Sequence, residues 1–390
     1  HRLAPLPVRR HAGGAAAGAL DLNQQLSPGP ATPSRTHAVV RLPRPLKPVF
    51  RHTPPPRLRP DLRLELLRAP QRVRRLSLRD AEGVIDQARG AMVTRARSLE
   101  AFSFADPREV WWVDDGDGLA FALMGVEPAR RHPLATLLGG LTLRNGVPIG
   151  YVQSDLTGRS AALSFNTFET FRGGEAAWTF ARWLAAVHHL YGSTSFHIEP
   201  YQLGLHNDEA LASGAWWFYA RLGFAPRDAA VARRAQAERL RLQRQPGARS
   251  SADTLRVLAS RHLHFDLGPP LPRIDLAGAV LRSAAALAAG GQPREAALQQ
   301  AAHELALRCG VARLAQRPAV ERAAWALMAP WLLQLPLHTW SDAERAALAD
   351  VVRLKAGRGE RGHVGAWLAH PRLDADLGAW AGADTLFRSG

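Results

Sequence analysis

The side chains able to do chemistry gather in the middle of this 390-residue chain. Phe171-Arg172-Gly173-Gly174-Glu175-Ala176-Ala177 sets two glycines ahead of a long stretch rich in large apolar residues, read as a helix to about Tyr191. Bare backbone N–H groups at such a helix start, with the positive end of its dipole, attract phosphate, and small residues let a ligand approach the backbone. Ser195–Glu199 reads as a buried strand closed by Pro200, and alternation puts His197 and Glu199 on one face as candidate proton acceptors. A buried structural role accounts for either, and Glu169 is a further candidate. His262-x-His264-x-Asp266 lines three potential metal ligands along one strand face, without the further ligands a complete site needs. His188-His189 reads as surface or packing. Cys309, the single cysteine, follows an apolar helix face and reads as core rather than nucleophile. One cysteine excludes an internal disulfide framework and any Cys-rich zinc or iron–sulfur site, and fits a reducing compartment, so a cytoplasmic location is expected.

The elements that must position these groups follow from periodicity. Leu76, Ala81, Val84, Ile85, Ala88 and Met92 recur near helical spacing between Ser77 and Leu99. Val110–Val113, an Asp/Gly turn and Leu119–Val126 form one hairpin. Gly140–Arg144, Asn145-Gly146 and Val147–Gln153 form a second, Asn-Gly suiting the positive φ of a tight turn. Ala161–Phe168 is a further strand. The glycine turn, the helix to Tyr191 with Gly192 as its stop, the strand at Ser195 and a helix from about Glu209 to Leu222 complete the region.

In this arrangement the chain resembles the GNAT superfamily of acyl-CoA-dependent N-acyltransferases over about residues 80–228. Arg172-Gly173-Gly174-Glu175-Ala176-Ala177 stands where the family has Arg/Gln-x-x-Gly-x-Gly/Ala, and Ala215, Tyr219, Leu222, Gly223 and Phe224 match Ala-x3-Tyr-x-x-Leu-Gly-Phe. The resemblance implies a mixed α/β (α+β) sheet flanked by helices and an acyl-CoA cofactor-substrate, such as acetyl-CoA. Its pyrophosphate would lie against Arg172, Gly173, Gly174, Ala176 and Ala177. It also implies a backbone oxyanion donor near Thr167 and Phe168, and Tyr219 as the acid for the leaving thiolate. Tyr219 is accounted for equally as an aromatic packed beside Trp216, Trp217 and Phe218. Glu175 departs from the pattern by putting a carboxylate where pyrophosphate would lie, and Ala212 stands where the family carries asparagine, with Asn207 five residues earlier.

The rest of the chain divides around that region. The 50 Lys and Arg include only Lys47 and Lys355 as lysines, a skew that reads as codon bias in a GC-rich, bacterial genome. Residues 1–75 hold 15 basic against 3 acidic side chains, +12 of the whole chain's +16, with 13 of the 28 prolines. This reads as a Pro/Arg-rich disordered arm, its beginning with His suggesting a fragment or processed product. A helix and linker over 229–251 lead to an all-α C-terminal domain over 252–390, with segments near 252–263, 275–289, 294–309, 318–335, 342–355 and 364–370. No apolar run is long enough to span a membrane. The expected activity is acyl transfer to an unidentified amine. The alternatives are an inactive scaffold that binds a protein partner through its helical domain, and nucleic-acid association through the basic arm.

Overall fold

The computed structural model describes residues 59–95 and 97–381, and most of the Pro/Arg-rich arm lies outside them. Its final part folds, so an arm reaching residue 75 is too long. Asp61 accepts from the amides of Arg63 and Leu64 to cap α1 (Leu62–Leu67), and β1 (Arg72–Arg75) pairs with the sheet. Leu62 and Leu66 supply the buried face that a purely polar segment would lack.

Ser77 caps α2 (Leu78–Val93), which buries the expected stripe Ala81, Val84, Ile85, Ala88 and Met92. After α3 (Glu100–Ser103) come β2 (Ala105–Gly116), β3 (Leu119–Val126), β4 (Thr136–Arg144), β5 (Val147–Thr157) and β6 (Ser160–Thr167), each antiparallel to the one before. Asn145 at φ 49° and Gly146 at φ 78° make the turn that Asn-Gly favours. Next, α4 (Ala176–Tyr191) stops at Gly192, φ 69°, and β7 (Ser195–Ile198) returns parallel to β6.

The helix expected from Glu209 to Leu222 is two helices. After α5 (Pro200–Leu203), α6 (Asp208–Ser213) and α7 (Ala215–Arg221) are separated by Gly214 at φ 69°, a left-handed backbone that ends one helix and re-aims the next. β8 (Ala225–Pro226) and α8 (Ala229–Arg244) follow. The segment expected to be helical to 263 stops earlier: α9 (Ala252–Leu258) is followed by β9 (Leu263–Asp266), which inserts between β7 and β8. β8 and β9, 36 residues apart in the chain, thus form the end of the sheet beyond β7.

The result is one open nine-stranded sheet in the order β1-β2-β3-β4-β5-β6-β7-β9-β8, antiparallel except for β6 and β7. One face packs on α4 through Phe121, Leu138, Val152, Leu163, Trp183 and Phe196, the other on α2 and α3 through Val110, Met124, Leu141 and Phe102. The remaining helices are α10 (Leu276–Ala288), α11 (Arg294–Arg308), α12 (Ala319–Leu332), α13 (Asp342–Lys355), α14 (Arg361–Ala369) and α15 (Leu373–Ala381). They share a second core around Leu305, Trp325, Met328, Leu348, Val352 and Trp367, in which Cys309 is buried. Ser341 and Glu344 close a full capping box on α13, as their spacing predicts. No helix among the described residues is long and apolar enough to cross a membrane.

Candidate functional site

The parallel pair sets the site. Its register runs from Ser160 opposite Ser195 to Leu163 opposite Ile198, and there β7 ends while β6 continues four residues to Thr167. Beyond Leu163, the edge of β6 that faces β7 has no strand partner among the described residues, so a gap opens at the carboxyl end of the pair. Arg172 folds back across this gap, its Nε donating to the Thr167 carbonyl at 3.3 Å. Gly173 and Gly174 are exposed, and a Cβ at Gly173 would meet no atom within 4 Å, so the approach to the start of α4 is open. Ala176 and Ala177 are half-buried in the first turn.

Glu175 makes no side-chain cap on α4; its carboxylate lies 3.5 Å from the Arg144 guanidinium of β4. The carboxylate expected to oppose a phosphate is thus tied to a cation. Of the two backbone donors expected at the end of β6, the Phe168 N–H is engaged, donating to the Ile149 carbonyl at 2.9 Å. Phe168 itself is buried beneath the Arg95 guanidinium, 3.9 Å above its ring. Thr167 is half-buried.

Tyr219 is buried on α7, edge-on to Phe180 at 5.4 Å and to Phe218 at 5.1 Å. No described group hydrogen-bonds its hydroxyl, and burial alone raises its pKa, keeping the phenol protonated. Phe165 of β6 stacks on Phe218 at 6.1 Å and leans on Phe180 at 5.0 Å, joining Tyr219 to the strand that lines the gap.

The candidate bases lie on the opposite sheet face from α4. Register puts Asp155 of β5, Ala162 of β6, His197 of β7 and His264 of β9 in one row across four strands. His197 is buried, with Nδ1 3.3 Å from Ser160 Oγ, and its ring centroid lies 5.8 Å from that of His262 and 5.9 Å from that of His264. Burial, then the neighbouring imidazoles and the Arg273 and Arg227 charges, hold its pKa well below the usual value, so His197 is neutral and a weak proton acceptor. The three imidazoles nevertheless form no metal centre: among the described residues no group of three or more His, Cys, Asp or Glu is arranged to hold a metal ion. Asp266 is instead bonded to Ser195 Oγ at 2.6 Å and to Arg227.

Glu199 is exposed at the start of α5, and its charge reaches Asp155. Asp155 accepts from the Gln153 amide at 3.2 Å, and burial first, with Glu199 and Glu100 adding repulsion, pushes its carboxyl up to about 6. A carboxylate that titrates there is well matched to taking a proton near neutral pH. Sequence reasoning passed over Asp155. Its signal was the polar alternation Tyr151, Gln153, Asp155 within a strand whose other face, Val152, Ser154 and Leu156, is buried. Glu169 is exposed in a short 3-10 turn, and Asn207 caps α6 through the Ala210 amide while donating to the Tyr201 carbonyl, so it serves the loop.

No family model, no curated protein and no solved structure matches the chain.

Proposed function

We propose that the protein is an N-acyltransferase of the GNAT type, moving an acyl group from acyl-CoA to an amine. The observation that carries this reading is the open glycine turn at the start of a 16-residue helix, set beside a parallel strand pair that parts after Leu163 and Ile198. A thioester lying along the free edge of β6 would have its phosphates at Gly173-Gly174 and its carbonyl near Tyr219 and the Asp155 face. Asp155, or exposed Glu199, takes the ammonium proton. The amine then attacks the thioester carbon, the C–N bond forms, the C–S bond breaks, the phenol of Tyr219 protonates the departing thiolate, and the second proton of the attacking nitrogen restores the phenol. The acceptor amine is unidentified.

The test is acetyl-CoA binding by calorimetry to the full chain, followed by turnover with a panel of amines. Micromolar binding, with Tyr219→Phe losing turnover while keeping binding, is the expected result. Because Glu175 pairs with Arg144, Glu175→Gly should change affinity little. Absence of binding in both proteins would leave only a resemblance of fold. One observation favours a scaffold instead: Phe165, Phe180 and Phe218 fill the wedge beside Tyr219. In that case neither protein binds CoA and no amine is acylated.

A further inference from the structure

At the mouth of the gap three distant segments meet on one carboxylate. Arg97, past the end of α2, holds one oxygen of Glu209 with Nη2 at 2.7 Å; Arg172, before the glycine turn, holds the other at 2.9 Å. Two guanidiniums bridged by two oxygens of one anion is the geometry in which arginines bind phosphate. The anion supplied here carries one charge between two cations, and all three side chains are 42–49% exposed. Arg172 leads directly into Gly173, beside which space is open. Glu209 rides on α6, a six-residue helix whose only buried side chain is Leu211.

We infer that Arg97 and Arg172 form an anion site for a phosphate group of the ligand, and that Glu209 is its built-in occupant, displaced when that phosphate binds. The inference rests on the acyl-CoA reading for the identity of the ligand, but the exchange of anions does not. An exposed Arg–Glu pair contributes little to stability, so it yields readily to a competitor, and a phosphate offers the same two cations more oxygens and up to twice the charge. Displacement frees α6, and with it the turn over Gly204–Asn207 that joins it to α5. Phosphate binding at the gap is thereby coupled to opening of that turn on the acceptor side.

The experiment uses the full chain with inorganic pyrophosphate and with CoA as probes, in calorimetry at low salt. Glu209→Gln should tighten pyrophosphate binding by about two- to fivefold, the range expected for removing a competing carboxylate held only by exposed ion pairs. Asp208→Asn, which removes a neighbouring charge that touches neither arginine, should not. Arg97→Gln should weaken binding in either background. In the native chain, amide exchange across 208–213 should quicken when pyrophosphate is added. Equal tightening by Glu209→Gln and Asp208→Asn, or unchanged exchange in α6 on saturation, overturns the inference and leaves acyl-CoA binding standing. Pyrophosphate behaving as expected while CoA fails to bind supports the anion exchange and removes the acyl-CoA reading. If neither probe binds any variant, both fall.

Discussion

Arg182, fully buried in the middle of α4, donates to both carboxylate oxygens of Asp115 at 2.6 and 2.7 Å, and to the Glu65 and Arg68 carbonyls. One guanidinium thus pairs a β2 carboxylate and closes the carboxyl end of α1. Removing it leaves the buried Asp115 carboxylate only the half-exposed Arg68 guanidinium, 3.7 Å away, so Arg182→Ala should cost about 3 kcal/mol in urea unfolding. Asp115→Leu combined with Arg182→Met should recover most of that loss. If the pair of substitutions is as damaging as the single one, the α1 carbonyls rather than Asp115 carry the effect. Asp155 makes a pH-dependent case at the same scale. Its folded pKa, about 6, lies above the unfolded value, so its contribution is fully present below pH 4 and is lost as pH rises through 6. Two pKa units correspond to about 3 kcal/mol. Asp155→Asn should therefore flatten the stability profile between pH 4 and 7, and an unchanged slope in thermal melts would refute the assignment.

Among the elements, α4 and the strands beneath it were legible because their signals are local. Sixteen residues of dense apolar character end at Gly192, and Asn145-Gly146 sits between two alternating runs. The glycine turn and Tyr219 could be read for the same reason. β9 could not: four residues, with only Leu263 and Phe265 on one face, hold too few alternations to stand out from the helix before them. Arg97 and Glu209 are 112 residues apart, and only the fold brings them together. A different local constraint shows at Gly140 of β4, where an added Cβ would fall 2.1 Å from the Trp183 ring. That indole is fixed by its own bond to Ser154 Oγ at 3.0 Å and cannot easily retreat. Gly140→Ala should accordingly cost about 1–3 kcal/mol through overpacking, measured as a lower urea midpoint at unchanged m. The neighbouring Gly139→Ala meets Ala101 and the Phe102 ring at 2.8–3.0 Å and should be milder.

At the scale of the whole molecule, the helical layer and the sheet are joined by four buried ionisable side chains. Arg131, before β4, donates to the Lys355 and Gly357 carbonyls at 2.8 and 2.7 Å. Lys355 donates to the Ala135 carbonyl at 3.0 Å and to Glu360, whose amide donates to Glu109 of β2. In a chain with two lysines, one stands at the centre of this contact. Burial, reinforced by Glu360, raises the Glu109 carboxyl to about 7 against an ordinary value near 4.5. The folded chain then holds a proton that the unfolded chain releases, so this group's contribution declines as pH climbs from about 4.5 past 7. Melting temperatures of the native chain should fall over that interval, and Glu109→Gln should reduce the fall. A steeper fall in the variant would mean that Glu109 is charged and needed by Arg131. Lys355→Met, which strands Glu360 in the interior, should cost about 3–5 kcal/mol, enough to loosen α13 and α14 from the sheet.

The place of β9 bears on how the molecule is made. β7 is complete at Ile198, yet the strand that covers its outer edge begins at Leu263, and β8 in between pairs only with β9. A chain emerging from the ribosome at about 5–20 residues per second leaves that edge without its neighbour for about 3–13 s. During that wait, Phe196 and Ile198 of β7 stand beside an unpaired backbone edge, the condition in which nascent chains associate with one another. Aggregation in the cell should therefore depend on translation speed between codons 199 and 262. Truncation anywhere before residue 263 makes the vulnerable interval permanent.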